Sequence, residues 1–235
     1  EYEKAQSADE KSALAGKLLA EAKKEIAANA RRFVLLRVAR DVAAQGGDVA
    51  TAFGAVDAMA ASFQIDALRI KSDLVTKLLG AELPAAQRKA LVNAACVLAG
   101  EAVAQDQYDA AEKVLELASI AALEGREPGA VQQVAARQEE LAELKTAYSV
   151  VAGAQKILKD KPDDAAANLA VGNFFCLWKG DWAAGLPMLA KTSDPTLSST
   201  AKRDLAGGSA EEQAAVADAW WDVGQQYDGL AKRQL

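Results

Sequence analysis

Apolar residues recur every three or four positions along this chain, in runs bracketed by helix-capping residues, and that spacing is the mark of amphipathic helices. Leu14, Leu18, Ala22 and Ile26 draw one such stripe on an otherwise charged segment. Its start is signalled by Ser7-Ala8-Asp9-Glu10, a capping box in which serine oxygen and glutamate carboxylate each accept from the other's backbone N–H. A helix is therefore expected from Asp9 to about Asn29. A single stripe must be covered, and Phe33, Leu36, Val38 and Ala43 offer the covering surface in the next segment.

The same grammar continues. Gly46-Gly47 closes the second helix, because glycine accepts a left-handed cap, and Asp48 opens a third carrying Phe53, Val56, Met59, Ala60 and Phe63. A fourth follows Asp66 with Leu68, Leu74, Leu78 and Leu79, and Pro84 suits the first turn of a fifth lined by Leu91, Val92, Ala95, Leu98 and Val103. Tyr108 to Leu123 reads as a sixth. Gly125, Pro128 and Gly129 form the clearest hinge. Beyond it, helical spacing from Val131 to Lys159 implies a helix of about 30 residues and about 45 Å, long enough to brace two halves. Pro162-Asp163-Asp164 starts the next helix, Gly180 ends it, and Trp182 to Lys191 makes a shorter one. Asp194-Pro195 opens another, Gly207-Gly208 closes it, and Ser209-Ala210-Glu211-Glu212 repeats the capping box before Val216, Trp220, Val223 and Tyr227. The expectation is all-α, with about ten or eleven helices and no sheet. It divides into hairpins over 1–127 and a long helix with further hairpins over 128–235, joined as one array.

Composition agrees. A chain of 235 residues with 51% apolar content can bury a sizeable core, while only 6% aromatic content and runs such as Ala165, Ala166, Ala167 favour helices packed closely together.

Three turns share one form: Gly47-Asp48-Val49-Ala50-Thr51-Ala52, Asp106-Gln107-Tyr108-Asp109-Ala110-Ala111 and Gly180-Asp181-Trp182-Ala183-Ala184-Gly185. Each has a turn residue, then a bulky side chain to plug the gap between antiparallel helices, then a small residue that lets them close. From Pro162 to Pro195, the landmarks Gly172-Asn173, Phe175, Gly180-Asp181-Trp182 and Asp194-Pro195 resemble tetratricopeptide repeats. Gly172 and Gly180 stand one residue further apart than that repeat places them, and the turns recur unevenly. The resemblance implies an irregular antiparallel helical-hairpin array, a tetratricopeptide-like right-handed superhelix. Over nearly the whole chain, Glu1-Tyr2-Glu3-Lys4-Ala5, Phe33-Val34-Leu35-Leu36-Arg37, Lys179-Gly180-Asp181-Trp182 and Ala219-Trp220-Trp221-Asp222 look like the helical region of large planctomycete multidomain proteins. That resemblance implies a spacer beside exported or carbohydrate-binding-like modules, an extracytoplasmic setting, and more helix after Leu235. Glu1 in place of methionine, and Glu1 to Gln6 reading as the tail of an earlier helix, point to chain extending N-terminally as well.

The available chemistry is narrow. The absence of histidine removes Ser-His-Asp and Cys-His activation and the commonest zinc ligands. No P-loop or glycine-rich nucleotide fingerprint occurs, and no catalytic, cofactor or metal residue is assigned. With 27 basic and 33 acidic residues the net charge is −6, a field that repels nucleic acid and anionic lipid. Lys23, Lys24, Arg31, Arg32, Arg37 and Arg40 form the one basic concentration, read as a solvated helix face. Cys96 and Cys176 lie far apart within apolar runs and read as free buried thiols. No run is long and apolar enough to span a membrane, so direct insertion is not expected.

Glu139-Glu140, Asp163-Asp164 and Glu211-Glu212 are the carboxylate pairs that a glycosidase would need across a cleft. The latter two pairs fall where negative charge meets a helix N-terminus, and the first falls mid-helix on a solvent face. All four tryptophans, Trp178, Trp182, Trp220 and Trp221, lie in the last third. Neighbours on a helix point about 100° apart, so Trp220 and Trp221 cannot both face one core. Trp182, Trp220 and Trp221 are thus the candidate ligand or partner contacts. The expected function is a non-enzymatic scaffold or protein-interaction module for a partner or neighbouring domains. The alternatives are a carbohydrate-associated envelope module, and an all-helical polysaccharide-processing enzyme.

Overall fold

A computed structural model describes residues 5–227 apart from Ile26 and Ala28. The described residues contain eleven α-helices, one π-turn and no strand. The helices are α1 (Ala8–Lys24), α2 (Ala30–Gln45), α3 (Val49–Ala60), α4 (Ala67–Leu79), α5 (Ala85–Ala104) and α6 (Tyr108–Gly125). They continue as α7 (Pro128–Asp160), α8 (Ala165–Asn173), α9 (Trp182–Leu189), α10 (Pro195–Ala206) and α11 (Ala210–Gly224), with the π-turn at Phe174–Trp178. The fold class is all-α.

Side-chain caps set most starts. Both capping boxes form, Ser7 with Glu10 and Ser209 with Glu212. Asp48, Asp66, Asp164, Asp181 and Asp194 each accept the N–H of the residue three positions on, at 2.9–3.0 Å. The boundaries differ from expectation in particular places. The helix expected to run to Asn29 stops at Lys24, because Glu25 is extended and the Asn29 side chain caps α2 instead. Ile26, assigned to the first stripe, lies outside the described residues, as does Glu1–Lys4 of the supposed preceding helix. Pro84 stands just before α5 as its cap, with ψ 154°, rather than in its first turn. At the hinge, Gly125 still belongs to α6 and Arg126 takes the left-handed position at φ 53°.

The chain divides into two compact units, Glu1–Leu141 and Ala142–Leu235, with the division falling inside α7. In the first, α1 packs on α2, α2 on α3, and α5 on α6, while alternate helices also touch: α1 with α3, α3 with α5, α4 with α6. Leu36, Val56, Leu78, Leu91 and Leu98 are excluded from solvent, each such burial contributing about 1.5–3 kcal/mol. One cluster of this core joins Ala22, Leu36 and Met59, edged by Phe33 and Phe63, whose rings meet edge to face at 5.1 Å. In the second unit α8 packs on α9, α9 on α10 and α10 on α11. Their common core holds Cys176, Leu186, Leu189, Leu197, Ala201, Val216, Trp220 and Val223.

The three similar turns share a conformation. Gly47, Asp106 and Gly180 are all left-handed, at φ 73°, 57° and 67°. The next residue's N–H then reaches back to a helix carbonyl: Asp48 to Ala43, Gln107 to Ala102, Asp181 to Phe175, at 2.7–2.9 Å. Val49 and Tyr108 are buried plugs, and Ala52, Ala111 and Gly185 are the buried small residues. In the third turn the accepting carbonyl lies one residue further back than in the other two, because the π-turn has widened the helix by one residue. That is where the extra residue between Gly172 and Gly180 is accommodated.

Candidate functional site

In the second unit, the Trp182 side chain is set by the Asp181-capped start of α9. Two glycines allow α9 its close approach. A Cβ on Gly172 would meet the Leu189 backbone nitrogen at 3.0 Å, and one on Gly185 would meet the Cys176 nitrogen and the Gly172 oxygen at 2.9 Å. Trp182 and Trp220 consequently meet edge to face, with ring centroids 5.0 Å apart at 70°. The buried Trp220 indole N–H donates to Asp204 Oδ2 at 2.8 Å, so its polar edge is satisfied inside the protein. Trp221 goes elsewhere: it is 64% exposed. Of the three candidate tryptophans, then, Trp182 and Trp220 come together in the core and at its edge, and Trp221 alone faces solvent.

Two of the three carboxylate pairs sit where helix electrostatics places them. Asp164 caps α8, and Asp163 pairs with Lys191 at 3.0 Å. Glu211 and Glu212 occupy the first turn of α11, and the Ser209 N–H and hydroxyl hold Glu212 below the usual carboxylate range. Glu140 pairs with Arg137 at 3.2 Å, and Glu139 is exposed. Among the described residues no group of three or more His, Cys, Asp or Glu is placed to hold a metal ion. Both cysteines are free thiols, Cys176 buried and Cys96 half-buried. Burial pushes the Cys176 thiol up to about 12, with the Asp181 and Asp204 carboxylates adding to the effect. Such a thiol is protonated and inert as a nucleophile at neutral pH.

Half of the basic concentration is neutralised by its own neighbours. Lys24 pairs with Glu21 at 3.1 Å, Arg31 with Glu25 at 2.9 Å, and Arg40 with Asp41 at 2.7 Å.

Two features of the first unit were not anticipated. Lys71 sits on the buried face of α4 and is 2% exposed. Its ammonium reaches Asp57 of α3 at 2.7 Å and Glu101 of α5 at 2.8 Å, and lies 5.4 Å from the Phe53 ring centroid. Desolvation works to lower its pKa, but the hydrogen bonds to Asp57 and Glu101 and the charges of both carboxylates together outweigh it and raise the group above its ordinary 10.5. The signal was in the sequence, since Leu68, Lys71, Leu74, Val75 and Leu78 share one helical face.

The second feature is a groove of about 650 Å³ between α4 and α6. Leu68 and Val114 are buried beneath it, with Leu117 half-buried beside them, while Asp66, Arg69, Asp73 and Thr76 line one wall and Gln107, Lys113 and Glu116 the other. The hydroxyls of Ser72 and Thr76 donate to carbonyls of α4 itself, and Asp66 is engaged as the α4 cap. Asp73, Lys113 and Glu116 make no hydrogen bond or ion pair with any described residue. The only signal for this groove in the sequence was that α4 and α6 each carry charges beside an apolar stripe.

Among the described residues no helix is long and apolar enough to cross a membrane. No family model, no curated protein and no solved structure matches this chain.

Proposed function

We propose that this chain is a non-enzymatic scaffold of helical hairpins, arranged as a tetratricopeptide-like right-handed superhelix, that holds neighbouring domains or receives a protein partner. The observation that carries the reading is the contact between alternate helices, α1 with α3, α3 with α5 and α4 with α6. In stacked hairpins each unit covers the next in this way and leaves continuous inter-helix surfaces for binding. The resemblance to the helical region of planctomycete multidomain proteins belongs to the same proposal. The test combines affinity capture on the immobilised chain with light scattering and a substrate-turnover screen. A partner retained at defined stoichiometry supports the reading. Specific turnover of any substrate by the chain contradicts it.

A second reading, a carbohydrate-associated module, is favoured by one observation, the solvent-facing Trp221. An exposed indole is a suitable platform for a sugar ring. A glycan array decides between them: binding lost in Trp221→Ala supports this reading, and binding unchanged in that variant removes its basis.

A further inference from the structure

We propose that the groove between α4 and α6 seats a cationic amphipathic helix of a protein partner, an inference that rests on the scaffold reading above. Three features of the groove select that occupant. The first is shape and backbone chemistry. The walls are helices, which offer side chains but no strand edge. An extended peptide lying over Leu68, Val114 and Leu117 would find no main-chain partner in these walls for its own N–H and C=O groups, whereas a helix satisfies them internally.

The second feature is length. From Asp66 to Thr76 the α4 wall runs about 15 Å, enough for about three turns of a guest helix and its apolar residues at i, i+3, i+4 and i+7. The third is charge. The lining carries three carboxylates, Asp66, Asp73 and Glu116, against two cations, Arg69 and Lys113; Asp66 and Arg69 meet at 3.9 Å, and Asp73, Glu116 and Lys113 are met by no described residue. An occupant with more cations than anions on its flanks completes this set, and an acidic helix is repelled by it.

The probe is a fluorescein-labelled helical peptide of about 14 residues, with leucines at the spacing above and lysines flanking them, titrated into the full chain by anisotropy. The control peptide is identical except that glutamates replace the lysines. The lysine peptide should bind at least about tenfold more tightly, and Asp73→Lys with Glu116→Lys should reverse that order. Leu117→Asp should weaken binding of the lysine peptide by about tenfold or more, in a variant whose helical signal and melting match the parent. Equal affinity for the two peptides, or indifference to all of these substitutions, would overturn the proposal. So would a dimer of the chain, seen by light scattering and dissolved by Leu117→Asp, since the groove's occupant would then be a second copy. A captured partner that is still held by the Asp73→Lys, Glu116→Lys variant overturns this site while leaving the scaffold reading intact. Only substrate turnover removes the latter.

Discussion

Lys71 is the residue whose surroundings depart most from its type. Its ammonium lies over the Phe53 ring and is met by Asp57 and Glu101, which remain 60% and 40% exposed. Removing the cation therefore returns those carboxylates to water, so the loss should be smaller than for a fully enclosed pair. Lys71→Met, which keeps the stem, should cost less than about 1.5 kcal/mol, and Lys71→Ala about 2–3 kcal/mol from the cavity left behind. Urea denaturation separates the two. The pH dependence has a definite sign. Because the folded-state pKa lies above 10.5, the Lys71 contribution is whole below that pH and is lost as pH rises through the folded value. The stability difference between the parent and Lys71→Met should thus shift against the parent in alkaline solution. The thiols offer a second check. Half-buried Cys96, whose thiol burial also pushes above its ordinary range, should be alkylated slowly in native protein and Cys176 only after unfolding, as mass spectrometry of the labelled chain would show. At this scale the sequence was legible where a residue's role is local. Ser7, Asp48, Asp66, Asp181 and Ser209 cap the helices their positions announce. Lys71 lies on the apolar face of α4, but its partners come from two other helices and no local pattern names them.

At the level of the element, local rules located nearly every helix, and tertiary packing decided their ends. The gap between Lys24 and Ala30 was not visible, because Asn29 serves equally well as an interior residue or as a cap until the second helix claims it. The π-turn was visible only as a spacing anomaly. Its neighbourhood is intolerant of added bulk: a methyl at Gly185 would press on the Cys176 side chain, on its backbone nitrogen and on the Gly172 oxygen, and backbone cannot step aside. Gly185→Ala should therefore destabilise the protein by about 1–3 kcal/mol or more, read as a lower melting temperature by circular dichroism. Asp164→Ala, which uncaps α8 without adding volume, should cost about 1 kcal/mol.

For the whole molecule, the all-helical class followed from periodicity, whereas the α4–α6 groove did not. A groove is made by the relative placement of two helices, and nothing in either helix's own pattern states that placement. Each unit has a core of its own, and all four tryptophans belong to the second. Tryptophan emission thus reports on that unit, while circular dichroism reports on both. Lys71→Ala should lower the urea midpoint seen by circular dichroism more than the midpoint seen by emission. Coincident shifts would show that the units unfold as one. The widened turn at Phe174–Trp178 has a consequence for how such a chain changes its length. An added residue in a regular helix rotates everything after it by about 100° and would swing Trp182 away from Trp220. Here the surplus is held in a single loosened loop of backbone, so the faces before and after it keep their aim. A protein assembled this way can gain a residue inside one rod without renegotiating its neighbours.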